Sequence, residues 1–240
     1  LSVYSGSLKL NEMAFFDDAG NLIPVTLVGA NESQTKLFDE QKYVDFTPTY
    51  YNGMYFDELY HGRTAYENLH NLTPYENSHP PLGKLFIMLG VWVFGMVPFG
   101  WRVVGTLFGI GMLPILYAFG KRLFKNSDYA LTLTVLFAFD FMHFTQTRIA
   151  TIDVYSVFFI LLMYYYMYIY ISMNFFTDGV KKTLKPLFLS GLFFGIGAAC
   201  KWTSIYAGAG LAVLLFTSLI ARYLEFVRVN AQGSAAEKAL

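Results

Sequence analysis

The chain has 240 residues, of which 55% are hydrophobic, 19% are aromatic and only 14% are charged. Its formal net charge is zero, which gives no indication of nucleic-acid binding, and its mean hydropathy of +0.41 is high for a soluble domain. Beyond residue 98 the apolar residues come in blocks long enough for helices that cross a bilayer. The composition therefore predicts an all-α integral membrane protein.

Residues 1–48 are predicted to form a short β-rich segment. Strands are expected at LSVYSGSLKL, EMAFF and VTLV, with turn signals at DDAGN and Pro24. The stretch LNEMAFFDDAGNLIPV resembles the closing strands of a discoidin-like β-sandwich, and a β-rich loop without a binding role is the simpler alternative. Because the chain begins at Leu1, without Met, a signal peptide or a first hydrophobic anchor, we expect a fragment of a longer protein, with this segment as the tail of a domain.

Residues 49–98 are predicted to form a polar loop with short helices. The charged and histidine side chains between residues 55 and 84 are Asp57, Glu58, His61, Arg63, Glu67, His70, Glu76, His79 and Lys84. Good helix formers predict a helix over 56–70, and Pro80 and Pro81 break the chain before the next helix. Residues 82–97 offer only about fourteen uninterrupted apolar residues, whereas about twenty are needed to cross the hydrocarbon layer. We therefore expect an interfacial or re-entrant helix there.

Five membrane spans are predicted within residues 99–222, at 101–120, 129–147, 150–171, 184–200 and 203–221. The last two are separated only by Lys201 and Trp202, but the block that they form is far too long for a single crossing. The polar residues 223–240 are expected to be a cytoplasmic loop or tail. The single cysteine, Cys200, lies in an apolar run and is interpreted as a small buried hydrophobe.

The distribution of basic residues predicts the orientation. With five spans, the basic residues in 121–127, in 174–186 and after 221 all lie on one side, which the positive-inside rule makes cytoplasmic. The loop 55–84, the turn 145–150 and the corner at Lys201 then lie on the extracytoplasmic side. The prediction is a multi-pass protein of the cell membrane with its polar loop outside the cytoplasm.

Four basic residues are placed where the positive-inside rule disfavours them, namely Lys84, Arg102, Arg148 and Lys201. Cations at the edge of the hydrocarbon layer are costly and are often functional. Four of them on one side suit an anionic ligand such as a lipid phosphate. The alternative is that each side chain extends to the lipid headgroups.

Polar residues also occur inside the predicted second span. Asp140, His143 and Thr147 are spaced i, i+3 and i+7, so they share one face of a helix. Asp140 must then face protein or water. Asp153 opens the next helix, where its alternative roles are a helix cap and an ion pair with Arg148.

Asp57 and Glu58 form the candidate catalytic pair. A carboxylate close to the membrane surface can accept a proton from a hydroxyl group of an acceptor. The alternative is a solvated pair on the surface of the helix. His61 and His79 are expected to orient a ligand, because their spacing matches no metal-binding motif. No cofactor is predicted, and a divalent metal stays open.

Five stretches carry a family pattern, namely YFDELYHGRTAYE, HPPLGK, PFGWRVVGTLFG, TQTRIATIDVY and ACKWTS. Together they resemble the protein O-mannosyltransferases, in particular the bacterial dolichyl-phosphate-mannose–protein mannosyltransferases. The resemblance implies a type C glycosyltransferase fold, of which this chain would be the second to sixth helices. It also implies a polyprenyl-phosphate mannose donor, a Ser or Thr hydroxyl of a secreted protein as acceptor, and inversion at the sugar.

The resemblance places the family's Asp-Glu motif on Asp57 and Glu58, its HPPLGK motif on residues 79–84, and further family positions on Arg102, Arg148 and Asp153. The other roles below are our interpretation of the residues themselves. Asp57 would be the base, and Glu58 would orient the acceptor or steady positive charge on the sugar. The residues expected to bind substrate are His61, Arg63, His79, Lys84, Arg102, Arg148, Asp153 and Lys201. Departure of the lipid phosphate would be assisted by Lys84, Arg102, Arg148 and Lys201.

Three alternative functions stay open. Another type C transferase would move a different sugar, such as aminoarabinose, onto a lipid or glycan. A transporter or channel would have polar residues along the whole depth of several helices. A non-catalytic binding or assembly subunit would keep the fold without the chemistry.

Overall fold

The structure is a computed structural model, and it describes residues 12–29, 32–39, 41–47, 49, 51–174 and 178–237. The chain divides into two compact units, Leu1–Met54 and Tyr55–Leu240. The second unit contains all the helices of membrane-spanning length found among the described residues.

A small antiparallel hairpin opens the described part of the first unit. Strand β1 (Phe15–Phe16) pairs with strand β2 (Leu22–Ile23). The carboxylate of Asp17 organises the turn, because it accepts hydrogen bonds from the backbone N–H groups of Ala19 at 2.9 Å and Asn21 at 2.8 Å. This is the side-chain turn chemistry that aspartate favours.

The remaining prediction for this unit is wrong in part. VTLV (residues 25–28) is not a strand, because the backbone N–H and C=O of Val25 both bond to the side chain of Gln41, at 3.1 and 2.9 Å. Two short helical segments follow, α1 (Glu32–Thr35) and a 3-10 helix (Gln41–Tyr43). LSVYSGSLKL lies outside the described residues, and the likeness to a discoidin-like sandwich stays a prediction.

The second unit is helical. Its helices are α2 (Glu58–Leu69), α3 (Leu82–Phe94), α4 (Pro98–Phe124), α5 (Ser127–Ala138), α6 (Phe141–Gln146), α7 (Asp153–Ser172), α8 (Val180–Cys200) and α9 (Thr203–Glu237). Helix α2 confirms the short helix predicted over 56–70. Helix α3 has 13 residues, too few for a complete crossing, and its interfacial position stays a prediction.

Among the described residues, four helices are long and apolar enough to cross a membrane, by length and composition. They are Pro98–Phe124, Asp153–Ser172, Lys181–Cys200 and Thr203–Ala231. The prediction of five such helices is therefore wrong by one.

The missing span is the one predicted at 129–147. Helix α5 has only 12 residues, and Asp140 then takes an extended conformation with ψ of 130°. Its carboxylate accepts the backbone N–H of His143 at 2.9 Å and so caps the new helix α6. Asp140, His143 and Thr147 therefore do not share the face of a continuous helix. An aspartate inside an apolar block ended one helix and started another, as N-cap residues do.

The pair α5 and α6 nevertheless brings the chain back along α4. Near one end of α4, Gly120 packs against Ala130 of α5. Near the other, the hydroxyl of Thr106 donates to the backbone C=O of Thr147 at 3.0 Å. The turn that follows α6 consequently returns to the end of α4 that carries Arg102.

The last helix is longer than predicted. Residues 223–240 were expected to be a loop or tail, but α9 continues to Glu237. The polar stretch RYLEFVRVNAQGSAAE contains good helix formers and no proline, so the loss of hydrophobicity does not end the helix.

Helix α7 lies at the centre of the bundle and contacts α3, α4, α8 and α9. Its buried residues Met163, Met167 and Tyr170 form a core cluster with Leu211 of α9. Nearer its start, Tyr155 packs in an aromatic group with rings of α3 and α4. This packing fixes the first turn of α7, which carries Asp153.

Candidate active site

The candidate site is built around the start of α2. Phe56 has a φ of 54°, in the left-handed region that few residues other than glycine adopt. Asp57 follows at the N-cap position, but its side chain makes no capping hydrogen bond to the helix. Asp57 instead lines an adjacent cavity.

Glu58 is completely buried, and both of its carboxylate oxygens are used within the protein. Arg102 donates from Nε to Oε1 and from Nη2 to Oε2, each at 2.7 Å. The backbone N–H of Ala150 donates to Oε1 and that of Tyr55 to Oε2, each at 2.8 Å. This single carboxylate joins α2 to α4 and to the turn before α7, through charge-assisted hydrogen bonds.

The cavity beside Asp57, called the Asp57 cavity below, has a volume of about 480 Å³. Its ionisable lining residues are Asp57, Asp140, His143, Asp153 and Lys201. Its apolar lining residues are Phe56, Met112, Phe137, Met142, Val154 and Val157. A mixed lining and a volume of this size are typical of sites for small ligands or for the head of a larger one.

Asp153 and Lys201 form an ion pair in this cavity. Lys201 Nζ lies 2.7 and 2.8 Å from the two carboxylate oxygens. One turn further along α7, the buried hydroxyl of Ser156 bonds to those of Thr203 at 3.0 Å and Ser204 at 2.8 Å. Two polar contacts therefore hold the corner between α8 and α9 against α7.

The alternative of an ion pair between Asp153 and Arg148 is wrong, because the partner of Asp153 is Lys201. Arg148 is exposed, and its guanidinium lies 4.7 Å from the ring centre of Phe144. Within the described part of the chain it forms no ion pair. Arg148 thus keeps its charge available beside the turn that follows α6.

Lys84 belongs to a different cluster. Its side chain is buried, forms an ion pair with Glu76, and donates to the backbone C=O groups of Glu76 at 2.7 Å and His79 at 3.1 Å. Burial alone would raise the pKa of Glu76, but hydrogen bonds from Lys84 and Ser78 outweigh it and lower the pKa to about 2. Lys84 is therefore neutralised by Glu76 and does not line the Asp57 cavity.

His61 lies between the two clusters. Its Nδ1 is 4.0 Å from Glu76 Oε2, and its ring centre is 6.5 Å from that of His79. Burial lowers the pKa of His61, although the nearby carboxylates of Asp57 and Glu76 favour the charged form. We infer that His61 is neutral and that it is packed inside the protein without lining the Asp57 cavity.

Arg63 supports the loop that follows α2. Its Nε donates to Glu67 at 2.7 Å, and its guanidinium lies 4.3 Å from the ring centre of Tyr75. Glu67 also accepts the backbone N–H of Tyr75 at 2.7 Å. These contacts hold Tyr75 of the loop against α2, and Arg63 does not line the Asp57 cavity.

The residues predicted from the sequence thus fall into three groups. Those that line the Asp57 cavity are Asp57, Asp153 and Lys201. Those bound to each other behind it are Glu58 and Arg102. Those outside its lining are His61, Arg63, His79, Lys84 and Arg148. The expected arrangement of four cations facing one carboxylate loop is therefore found only in part.

The sequence did carry a signal for one partner that was missed. Glu76 was assigned no role, yet a lysine near the start of an apolar helix needs a carboxylate when it is buried. Among the described residues, no group of three or more His, Cys, Asp or Glu side chains is arranged to hold a metal ion.

Comparison with known proteins gives the family. The sequence model of the family described as dolichyl-phosphate-mannose-protein mannosyltransferase matches residues 78–229, more than half of the chain. The chain belongs to this family. Asp57, Glu58, His61 and Arg63 lie before the matched residues.

Individual members of the family are similar to the chain over part of their length. A polyprenol-phosphate-mannose–protein mannosyltransferase of Corynebacterium glutamicum is 29% identical over 143 residues, which cover 53% of this chain and 28% of the relative. Another from Mycolicibacterium smegmatis is 24% identical over 149 residues, with the same two coverages. A third, from Mycobacterium tuberculosis, is 32% identical over 82 residues, which cover 34% of this chain and 16% of the relative. The chain thus spans less than a third of the length of these mannosyltransferases, and no solved structure matches it.

Proposed function

We propose that the protein transfers mannose from a polyprenyl-phosphate mannose donor to Ser or Thr hydroxyl groups of secreted proteins, at the extracytoplasmic face of the cell membrane. One observation carries the proposal beyond family membership. Asp57 faces a cavity of about 480 Å³, whereas its neighbour Glu58 is fully hydrogen-bonded inside the protein. Asp57 is thus accessible to a ligand, whereas Glu58 fixes the backbone next to it.

In the proposed reaction Asp57 is the general base. The acceptor hydroxyl oxygen bonds to the anomeric carbon of mannose while the bond from that carbon to the phosphate oxygen breaks. The hydroxyl proton passes to Asp57, and the electron pair of the broken bond leaves with the polyprenyl phosphate. A single displacement of this kind inverts the sugar, and it needs one base and no protein nucleophile.

The charges of the cavity suit the two ends of the donor differently. Glycosyl transfer develops positive charge on the sugar ring. Asp57, Asp140 and Asp153 would stabilise that charge, whereas a phosphate group needs cations. Arg148, which is exposed and forms no ion pair among the described residues, is the residue that we assign to the departing phosphate, and Lys201 would contribute by leaving its ion pair with Asp153.

Glu58 and Arg102 have different roles in this scheme from those that we expected from the sequence. Each oxygen of Glu58 already accepts two hydrogen bonds, so we assign it to holding Asp57 in place. Arg102 neutralises Glu58 and anchors α2 to α4.

The positions of the basic residues support the extracytoplasmic side for the cavity. Arg102 lies near the start of α4, and Lys121 and Arg122 lie in its last turn. The Asp57 cavity is therefore at the end of α4 opposite these two surface cations, and such cations mark the cytoplasmic side. We propose the type C glycosyltransferase fold for this chain because it belongs to the mannosyltransferase family.

The test is transfer of radiolabelled mannose from polyprenyl-phosphate mannose to a Ser- or Thr-containing peptide by the full-length protein. Asp57→Asn should lower kcat at least about 100-fold, the usual contribution of a general base, because Asn keeps the shape but accepts no proton. The KM for the donor should change little.

Asp128→Asn is the matched control. Asp128 is exposed in the first turn of α5, does not line the cavity and takes part in none of the ion pairs described above. Undiminished transfer by Asp57→Asn would exclude Asp57 as the base. Transfer from a different lipid-phosphate sugar, with none from the mannose donor, would show that the sugar assignment is wrong.

A further inference from the structure

A second cavity, of about 460 Å³, is lined in part by the corner between α8 and α9. Lys201 lines the Asp57 cavity and the next residue, Trp202, lines this one, which is called the Trp202 cavity below. Its walls come from α2, from the loop that follows α2, from the first turn of α3 and from this corner. No step of the proposed transfer uses it.

Helix α2 connects the two cavities. Asp57, His61, Thr64 and Asn68 are spaced i, i+4, i+7 and i+11, so they follow one face of the helix. Asp57 lines the first cavity, and Thr64 and Asn68 line the second. At about 1.5 Å per residue, Thr64 and Asn68 lie about 10 and 16 Å along the helix from Asp57.

The charges of the Trp202 cavity cancel. Its two charged lining residues, Glu76 and Lys84, form an ion pair with each other. A phosphate or another ion would meet no unpaired carboxylate or ammonium group among the described lining residues. The amide side chains of Asn68 and Asn77 also line the cavity, and amides can pair with the N–H and C=O groups of a peptide.

Trp202 gives the cavity a fixed aromatic surface. Its indole N–H donates to the backbone C=O of Ser78 at 2.9 Å, while 49% of the residue remains exposed. Aromatic side chains held in this way bind proline and aliphatic groups at little entropic cost. Pro74, Pro80 and Pro81 add further rigid apolar lining.

We propose that the Trp202 cavity binds an uncharged segment of the acceptor polypeptide that contains proline or aliphatic residues. The inference rests on the proposed function, because it requires the acceptor hydroxyl to lie at Asp57. An extended peptide advances about 3.3 Å per residue, so it covers the distance to Thr64 and Asn68 in about three to five residues. The bound segment is therefore the one three to five residues from the mannosylated Ser or Thr.

The first experiment measures how strongly the full-length enzyme prefers a long acceptor. One peptide carries proline three to five residues from its Thr, and the other ends two residues from it. Trp202→Ala should lower the ratio of the two kcat/KM values about five-fold, because the aromatic surface is lost. Trp202→Phe, which keeps a ring, should retain most of the ratio, and Trp92→Phe is the control because Trp92 is exposed on α3 away from both cavities. An unchanged ratio in Trp202→Ala would overturn the proposal.

The second experiment does not depend on sugar transfer. The Asn68→Cys variant is tested for disulfide cross-linking to a series of peptides. In each peptide alanine replaces the acceptor Thr, and a single cysteine is placed at a distance of one to eight residues from that alanine. Cross-linking should be strongest at positions three to five and absent from Asp128→Cys and from the unsubstituted protein. A uniform pattern, no cross-link, or competition by polyprenyl phosphate alone would assign the cavity to another occupant.

The two experiments separate the two proposals. Position-specific cross-linking without mannose transfer would leave the peptide site in place and refute the proposed activity. Mannose transfer with a uniform cross-linking pattern would support the proposed activity and refute the peptide site.

Discussion

The sharpest prediction concerns Glu58, whose two oxygens are used symmetrically. Each accepts one N–H of Arg102 and one backbone N–H, from Ala150 or Tyr55. In Glu58→Gln, either orientation of the amide turns its NH₂ group towards one Arg102 donor and one backbone donor. Two hydrogen bonds are lost, and the new NH₂ group faces two N–H donors with no acceptor between them.

The cost can be worked out from burial. Glu58 is 0% exposed and Arg102 is 17% exposed, so solvent compensates little. Breaking a buried ion pair by removing one partner costs about 3–5 kcal/mol, and Glu58→Gln should destabilise the protein by about that amount. Arg102→Met should cost a similar amount, because it leaves the Glu58 charge buried. The double variant should lose less unfolding free energy than the two single variants together, by at least about 1 kcal/mol.

The assay is the free energy of unfolding of the micelle-solubilised protein, measured by SDS titration next to mannose transfer. Glu225→Gln, on the exposed surface of α9, is the control and should stay within about 0.5 kcal/mol of the unsubstituted protein. If Glu58→Gln unfolded like the unsubstituted protein but lost transfer more than about 100-fold, Glu58 would have to act on the substrate, and its assignment as a positioning residue would be refuted.

Two further predictions concern packing and pH. A Cβ atom added at Gly109 would lie 2.3 Å from Thr147 Cγ2, so Gly109→Ala should lower the free energy of unfolding by about 1–3 kcal/mol. Gly191→Ala is the control, because nothing lies within 4 Å of a Cβ atom there, and it should cause no loss in the same SDS titration. Because the pKa of Glu76 falls from 4.5 to about 2 on folding, its contribution to stability is complete above about pH 4.5 and is lost as the pH falls towards 2. Glu76→Gln should therefore flatten the decrease in unfolding free energy over this pH range, and an unchanged slope would show that the ion pair with Lys84 does not stabilise the fold.

The sequence was sufficient for the features that depend on local physics. Helix α2 and the short α3 follow from helix propensity and from the length of the apolar block, and the corner at Lys201–Trp202 separates α8 from α9 as expected. The broken second span was not predicted, because hydropathy averages over Asp140, whereas the backbone responds to its capping carboxylate.

The partners of the charged residues could not be predicted, because ion pairs join positions far apart in the chain. Lys84, Arg102 and Lys201 look alike in sequence, as cations at the edge of apolar blocks. In the structure each has a carboxylate partner of its own, in Glu76, Glu58 and Asp153. Only the three-dimensional arrangement shows which partner lines a cavity and which is confined to the interior.

The interruption between α5 and α6 has a consequence for the environment in which the protein is studied. Within seven positions of the chain, Phe137, Asp140, Met142 and His143 all line the Asp57 cavity. Apolar and ionisable side chains therefore line the same cavity side by side, which suits a ligand with both an apolar and a polar part. A detergent monomer is an amphiphile of the same general kind, so micelles and bilayers are not equivalent surroundings for this cavity.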